Sequence, residues 1–427
     1  MTRLSPTVFK IPTDKIRSGY YTDRYFLRVR EVLMAIPRPM KVGYQFFPRE
    51  NAVVCGLDEA IAILKTCAGI YHDPRKAERL YHELRTVQWK LQDASARQHQ
   101  KEIIRWEWER SVLRKKLNDL WENKWGEIKV YALEDGERVK ENEPVLAIVG
   151  NPRYFAHLET PLLGAIARPT STATAVAKVV KAAKGKKIFF FSARFDHYWV
   201  QTTDGYAALK AGAFGVSTDA NADYWGIESV GTMPHFLIGC FGGDTAKACL
   251  AYDKVTDGHL NRIALIDWDN DCIGTTKKIL IRLICEKLSM KNLTPELFAQ
   301  YAKRVVGSGK GKLWGVRFDT SGALRDRSVT SKSKKAYGVC PELVRKGRKE
   351  FDRWGCQNLK IIVSGGFDGK KICLFEKHKV PVDIYGIGSS LFRHRVDMTA
   401  DIVEYEGKAC AKVGRKKSDW SRLQRVR

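Results

Sequence analysis

Nine polar side chains stand just past apolar runs of this chain: Arg194, Ser217, Thr232, His235, Asp267, Arg317, Asp319, Ser364 and Ser389. The set holds what phosphate-ester chemistry needs. Arginines bind anionic oxygens, carboxylates hold hydroxyls or magnesium, and a histidine can move a proton near neutral pH. Two glycine turns accompany it. Ile361-Ile362-Val363 runs into Ser364-Gly365-Gly366, and Val382 and Ile384 lead into Gly386-Ile387-Gly388-Ser389-Ser390. Small residues just past a strand let backbone N–H groups approach an anion, and the serines add hydroxyl donors. Any one of these residues alone is equally well explained as the polar end of a strand; the set as a whole is not.

The elements that must position them form a regular series from Lys186 onward. Ile188 to Phe191 precedes Arg194, Phe214-Gly215-Val216 precedes Ser217, and Val230 precedes Gly231-Thr232-Met233-Pro234-His235. Ile263 to Ile266 precedes Asp267-Trp268-Asp269, and Leu313 to Val316 precedes Arg317-Phe318-Asp319; the two glycine turns complete seven runs. Helical patterns fill the gaps at Thr245 to Lys254, Thr275 to Leu288 and Lys370 to Lys379. Strand–helix alternation predicts parallel strands with crossover helices, and a barrel of them brings every strand end to one mouth.

The preceding residues read differently. Ala52 to Gly56 ends a strand, and Asp58 to Cys67 is helical. Arg75 to Trp125 holds neither proline nor glycine, and Leu84, Val87 and Leu91, then Leu113, Leu117 and Leu120, recur at helical spacing, predicting a helical pair. It carries Trp89, Trp106, Trp108, Trp121 and Trp125, which the helical spacing assigns to core or oligomer packing ahead of nucleic-acid binding. Strands follow around Ile128 to Ala132 and Val145 to Val149. Two helices, Phe155 to Ala167 and Ser171 to Lys184, flank Pro169. The expected class is α/β: an N-terminal α/β domain over 1–185 with a helical insertion at 75–125, an irregular β/α barrel over 186–395, and a segment 396–427 returning to the first domain.

The chain has 427 residues and a net charge of +26, which attracts anions. The basic residues are spread along the whole length, which argues against a dedicated nucleic-acid domain. No apolar run approaches the ~20 residues of a membrane span, and Met1 to Pro6 has no signal-peptide character. Ten cysteines, none at C-x-x-C spacing, argue against structural zinc and a disulfide framework and fit a reducing, cytoplasmic setting.

Several of these segments resemble, in order, the motifs of the nicotinate phosphoribosyltransferase family, of the type II phosphoribosyltransferase fold. They are Thr22-Asp23-Arg24-Tyr25, Ser192-Ala193-Arg194, Gly215-Val216-Ser217-Thr218, Gly231-Thr232-Met233-Pro234-His235, Val363 to Asp368, Tyr385 to Ser390 and Ala411 to Arg415. The resemblance implies transfer of phosphoribose from phosphoribosyl pyrophosphate to nicotinate, in NAD biosynthesis, with Mg2+ as cofactor and ATP as co-substrate. It implies Tyr25 stacking on the pyridine across a homodimer interface, Arg194 and Thr232 on the nicotinate carboxylate, and His235 as a phosphate-accepting histidine. Arg317 and Asp319 would hold the ribose and pyrophosphate, and Ser364, Gly365, Gly366, Gly386, Gly388 and Ser389 the 5′-phosphate; Asp267 and Asp269 are the candidate metal ligands. Related nicotinamide-using enzymes resemble the Ser217 segment but carry an aspartate there; serine favours the acid substrate, which a carboxylate would repel. The rivals are a quinolinate or nicotinamide phosphoribosyltransferase, and a nucleic-acid-binding protein on a former enzyme scaffold.

Overall fold

The computed structural model describes residues 3–427; the expectation about a signal segment begins at Met1 and Thr2, which lie outside the described residues. The chain divides into two compact units, Met1–Ala173 with Arg395–Arg427, and Thr174–His394.

The first unit is built on a six-stranded sheet in the order Lys408–Ala409, Met398–Tyr405, Val42–Pro48, Leu146–Gly150, Lys129–Ala132, Gln424–Arg425. Its pairings are antiparallel, and two of the C-terminal strands join it at one edge while the third joins at the other. The helix Leu57–Cys67 contributes Leu57, Ile61 and Leu64 to the same core as Phe46, Val130 and Ile148. The insertion is a helical hairpin, Pro74–Ala96 and Gln100–Asp119, on a two-stranded stem of Gly69–Tyr71 and Trp121–Asn123. Leu80, Leu84, Val87, Leu113 and Leu117 form its seam, with Trp106 packed alongside. Trp89 and Trp108 are 67% and 68% exposed, so the protein's own core does not account for them.

Where two helices were expected around Pro169, one helix runs Glu159–Ala182 with the proline inside. Proline removes the N–H that would bond to the carbonyl four residues back, here Ala165. Gly56, at φ +93°, lies against that carbonyl so closely that a Cβ would fall 2.0 Å from its oxygen and 2.6 Å from Pro169 Cγ. Thr170 Oγ1 donates to the Cys55 carbonyl at 3.0 Å and accepts the Cys55 N–H at 3.1 Å. Tertiary packing thus holds a helix that local propensity alone would break.

The second unit is a parallel sheet, in order Ile263–Leu265, Gly315–Phe318, Lys360–Val363, Ile384–Ile387, Lys187–Phe190, Gly215–Val216. Successive residues face opposite sides. Phe190, Leu265, Val316, Phe318, Ile361, Val363 and Ile387 pack in the cluster shared with the crossover helices. Phe189, Ile263, Ile362 and Ile384 form a separate cluster, joined by Phe191 and Val230. Six of the seven expected runs are strands. The seventh, at Val230, is not: its N–H donates to the Val216 carbonyl at 2.7 Å and the Met233 N–H to the Ile263 carbonyl at 3.1 Å. The segment therefore spans the gap between the two edge strands with one hydrogen bond to each.

Candidate active site

The strand ends of the second unit surround a cleft of about 620 Å³, within the usual few-hundred to 1,000 Å³ of a small-molecule site. Arg194, Ser217, Thr232, His235, Arg317 and Asp319 line it, as do Ser364, Gly365, Gly366, Gly386, Gly388 and Ser389. Tyr25, Asp267 and Asp269 are not among the lining residues. Tyr25 lies in the first turn of the helix Arg24–Ala35 of the first unit; it is 59% exposed and its hydroxyl lies 3.5 Å from Asp23 Oδ2.

His235 starts the helix His235–Cys240, and its Nε2 sits 2.9 Å from Asp267 Oδ1. The hydrogen bond to Asp267 raises its pKa above the usual imidazole value, against partial burial. Asp269 turns instead to Lys278, 3.4 Å away. No group of three His, Cys, Asp or Glu side chains placed to hold a metal occurs among the described residues.

Arg317, on the strand Gly315–Phe318, is held 3.9 Å from Asp319 Oδ2 and 5.9 Å from the centre of the Phe191 ring. Burial lowers its pKa, while Asp319 and Asp267 oppose that shift. Its Nε is buried with no hydrogen-bond acceptor. Asp319 is held from its other side by Ser364, whose Oγ donates to Oδ1 at 2.7 Å. This carboxylate thus joins the arginine to the first glycine turn.

Gly365 and Gly366 have φ of +80° and +70°, in the left-handed region that favours glycine. Gly388 is required for a different reason: a Cβ there would fall 2.5 Å from Phe195 Cε2. Ser192 Oγ donates to the Gly388 carbonyl at 3.0 Å, and Ser390 Oγ to the Phe367 carbonyl at 2.7 Å. The two glycine turns and the Arg194 turn are therefore tied together by serine hydroxyls.

The aromatic wall of the cleft, Phe191, Phe195, Phe236 and Phe367, was not singled out from sequence. Phe191 carried a usable signal, being the last apolar residue before the Ser192 turn. Phe236, 82% exposed, carried none.

A parallel β/α sheet carries at its strand ends a cleft lined by arginines, hydroxyls and glycine turns, and this α/β fold is shared with solved structures. The chain is 26% identical, with TM-score 0.66, to a nicotinate-nucleotide pyrophosphorylase from Pyrococcus furiosus, over 98% of this chain and 82% of that one. The human nicotinic acid phosphoribosyltransferase shares the fold, with TM-score 0.54 at 16% identity over 93% of this chain and 77% of that one. The profile "Quinolinate phosphoribosyl transferase, N-terminal domain" matches residues 120–170. In sequence, the chain is 25% identical over 287 residues to nicotinate phosphoribosyltransferase pncB2 of Mycobacterium tuberculosis, covering 65% of this chain and 52% of that protein. Against the nicotinate phosphoribosyltransferase of Bacillus subtilis the figures are 23% over 262 residues, 61% of this chain and 45% of that protein. The chain is thus similar in sequence to nicotinate phosphoribosyltransferases, and it spans about half the length of these curated relatives. No described helix is long and apolar enough to cross a membrane.

Proposed function

We propose that this protein joins nicotinate to phosphoribose, using phosphoribosyl pyrophosphate and releasing pyrophosphate. The observation that carries this reading is the single cleft in which Arg194, Thr232, Arg317, Asp319 and both glycine turns meet. Displacement at C1 of the ribose builds positive charge on the ring and negative charge on the leaving group, so catalysis lies in placing the pyridine nitrogen and neutralising pyrophosphate. Arg194 and Thr232 orient the nicotinate carboxylate, Arg317 and Asp319 hold the pyrophosphate and ribose, and the glycine turns take the 5′-phosphate.

Magnesium fits this site as a partner of the substrate. Asp319 is the one carboxylate among the described lining residues, and Mg2+ is commonly held by one or two carboxylates together with substrate phosphates and water. Bound there, it would neutralise charge on the departing pyrophosphate. A homodimer belongs to the same reading, with Tyr25 of one copy serving the cleft of the other.

Two features favour nicotinate over its rivals. Arg194 and Arg317 are the only arginine or lysine side chains among the described lining residues, so the cleft offers no further cation for the second carboxylate of quinolinate. Ser217 brings no charge against the nicotinate carboxylate and no acceptor anion for a carboxamide. Ser217→Asp is expected to lower kcat/KM for nicotinate by about tenfold or more, through like-charge repulsion in a confined site. Unchanged kcat/KM in steady-state assays would refute this charge argument.

ATP coupling is assigned to His235. Asp267 engages Nε2, which leaves Nδ1 as the nucleophile toward a phosphoryl group. Phosphorylation requires the neutral ring, and because the His235 pKa is raised, that form is lost as pH falls through the raised value. His235→Ala is expected to abolish ATP stimulation while some basal transfer persists, and the wild-type stimulation is expected to fade on the acid side. Equal stimulation in the variant removes this role. The direct test is product analysis with phosphoribosyl pyrophosphate, magnesium and each of nicotinate, nicotinamide and quinolinate, with and without ATP. Absence of nucleotide from nicotinate rejects the reading.

A further inference from the structure

The first glycine turn leads through Phe367 into the helix Gly369–Lys377, which Asp368 caps by accepting the Lys371 N–H at 2.8 Å. The Lys371 side chain folds back over the turn. Its Nζ lies 4.3 Å from the centre of the Phe367 ring and donates to the Gly365 carbonyl at 3.3 Å. Among the described residues it forms no ion pair with a carboxylate.

Peptide geometry gives the contact a meaning. The Gly365 carbonyl and the Gly366 N–H belong to one planar trans unit and point in opposite directions. Gly365 and Gly366 both have positive φ, a backbone that side chains do not restrain. We propose that Lys371 is a positioning residue for phosphate binding: by holding the Gly365 carbonyl on one side, it aims the Gly366 N–H at the phosphate monoester on the other. The ammonium also polarises that peptide and strengthens its N–H as a donor. Burial, which lowers the lysine pKa against the opposing influence of Cys340 and Asp368, is consistent with an ammonium set close beneath the turn. The role rests on the phosphoribosyl reading of the cleft and adds to it a residue that does not line the cleft.

The test compares Lys371→Met, which keeps the stem over Phe367, with Lys371→Arg, which keeps the charge and donors. Two measurements are made: steady-state kinetics, and calorimetric binding of ribose 5-phosphate. Lys371→Met is expected to raise KM for phosphoribosyl pyrophosphate and weaken ribose 5-phosphate binding, each about tenfold, the scale of one charge-assisted hydrogen bond. KM for nicotinate and the unfolding temperature stay unchanged, and Lys371→Arg restores most of the loss. Wild-type affinity for ribose 5-phosphate in Lys371→Met overturns the inference. So does an arginine variant as defective as the methionine variant, or an equal rise in both KM values. If wild-type protein makes no nucleotide yet its ribose 5-phosphate binding still depends on Lys371, the transfer reading fails and the phosphate-positioning role stands.

Discussion

Arg317→Met is expected to reduce nucleotide formation by about 10²–10³-fold, the range found when a preorganised charge-stabilising donor is removed from an active site. The side chain is 15% exposed and faces Asp319 at 3.9 Å. Its Nε is buried without an acceptor, a cost tolerated where a ligand oxygen completes the site. The deletion acts twice. In the proposed reaction it withdraws positive charge from where pyrophosphate would depart, and it leaves Asp319 with Ser364 but without the arginine beside it. Arg317→Lys is expected to recover little, since an ammonium cannot reproduce the planar fork of a guanidinium. The measurement is kcat/KM for phosphoribosyl pyrophosphate, with circular dichroism to confirm folding; a loss below tenfold in a folded variant contradicts the assignment.

The second large effect falls on stability. Gly205 lies in the helix Gln201–Lys210 where it crosses the short helix Asp219–Ala222. A Cβ there would fall 2.1 Å from the Asn221 carbonyl oxygen and 2.4 Å from Asn221 Cα. Both are backbone atoms, so no rotamer change relieves the clash. Gly205→Ala is expected to cost about 3 kcal/mol, at the upper end for overpacking, which in a unit of this size lowers the unfolding temperature by roughly 6–12 °C. Activity is expected to fall too. The same crossing holds Thr218, whose Oγ1 donates to acceptors on Gln201 or Asn221, each at 2.9 Å. Thr218 is adjacent to Ser217, so forcing the helices apart moves a residue that lines the cleft and that the proposed function places against the pyridine substituent. Thermal unfolding that shifts by less than 2 °C would show that the crossing relaxes freely.

What the sequence made legible was periodic or punctuated. Alternation and abrupt glycine turns marked six of the strands, and leucine spacing marked the hairpin between Arg75 and Trp125. The strand-end residues of the second unit met because parallel strands deliver their ends to one side, a rule that needs no knowledge of side-chain contacts. Features set by tertiary approach were not legible. Pro169 reads locally as a stop, and only the meeting of Gly56 and Thr170 with the preceding turn keeps the helix whole. Val230 reads as a strand because it is apolar and precedes a turn, yet it finds a single bond on either side of the sheet's gap. Asp267 and Asp269, two apart, invite a shared role in sequence; in space one accepts from His235 and the other from Lys278. Lys371 was one of many basic residues until its side chain was seen lying over Phe367.

That gap has a consequence for how the curled sheet of the second unit yields. Elsewhere each strand is laced to its neighbour along the ladder, but between Gly215–Val216 and Ile263–Leu265 the wall is stitched by two amides, those of Val230 and Met233. This seam is the cheapest place for the wall to part, because no ladder need be unzipped first. Thr232 sits between the two stitches, so an anion clasped there together with Arg194 would rivet the wall at its weakest point, making the empty protein looser on that flank than the loaded one.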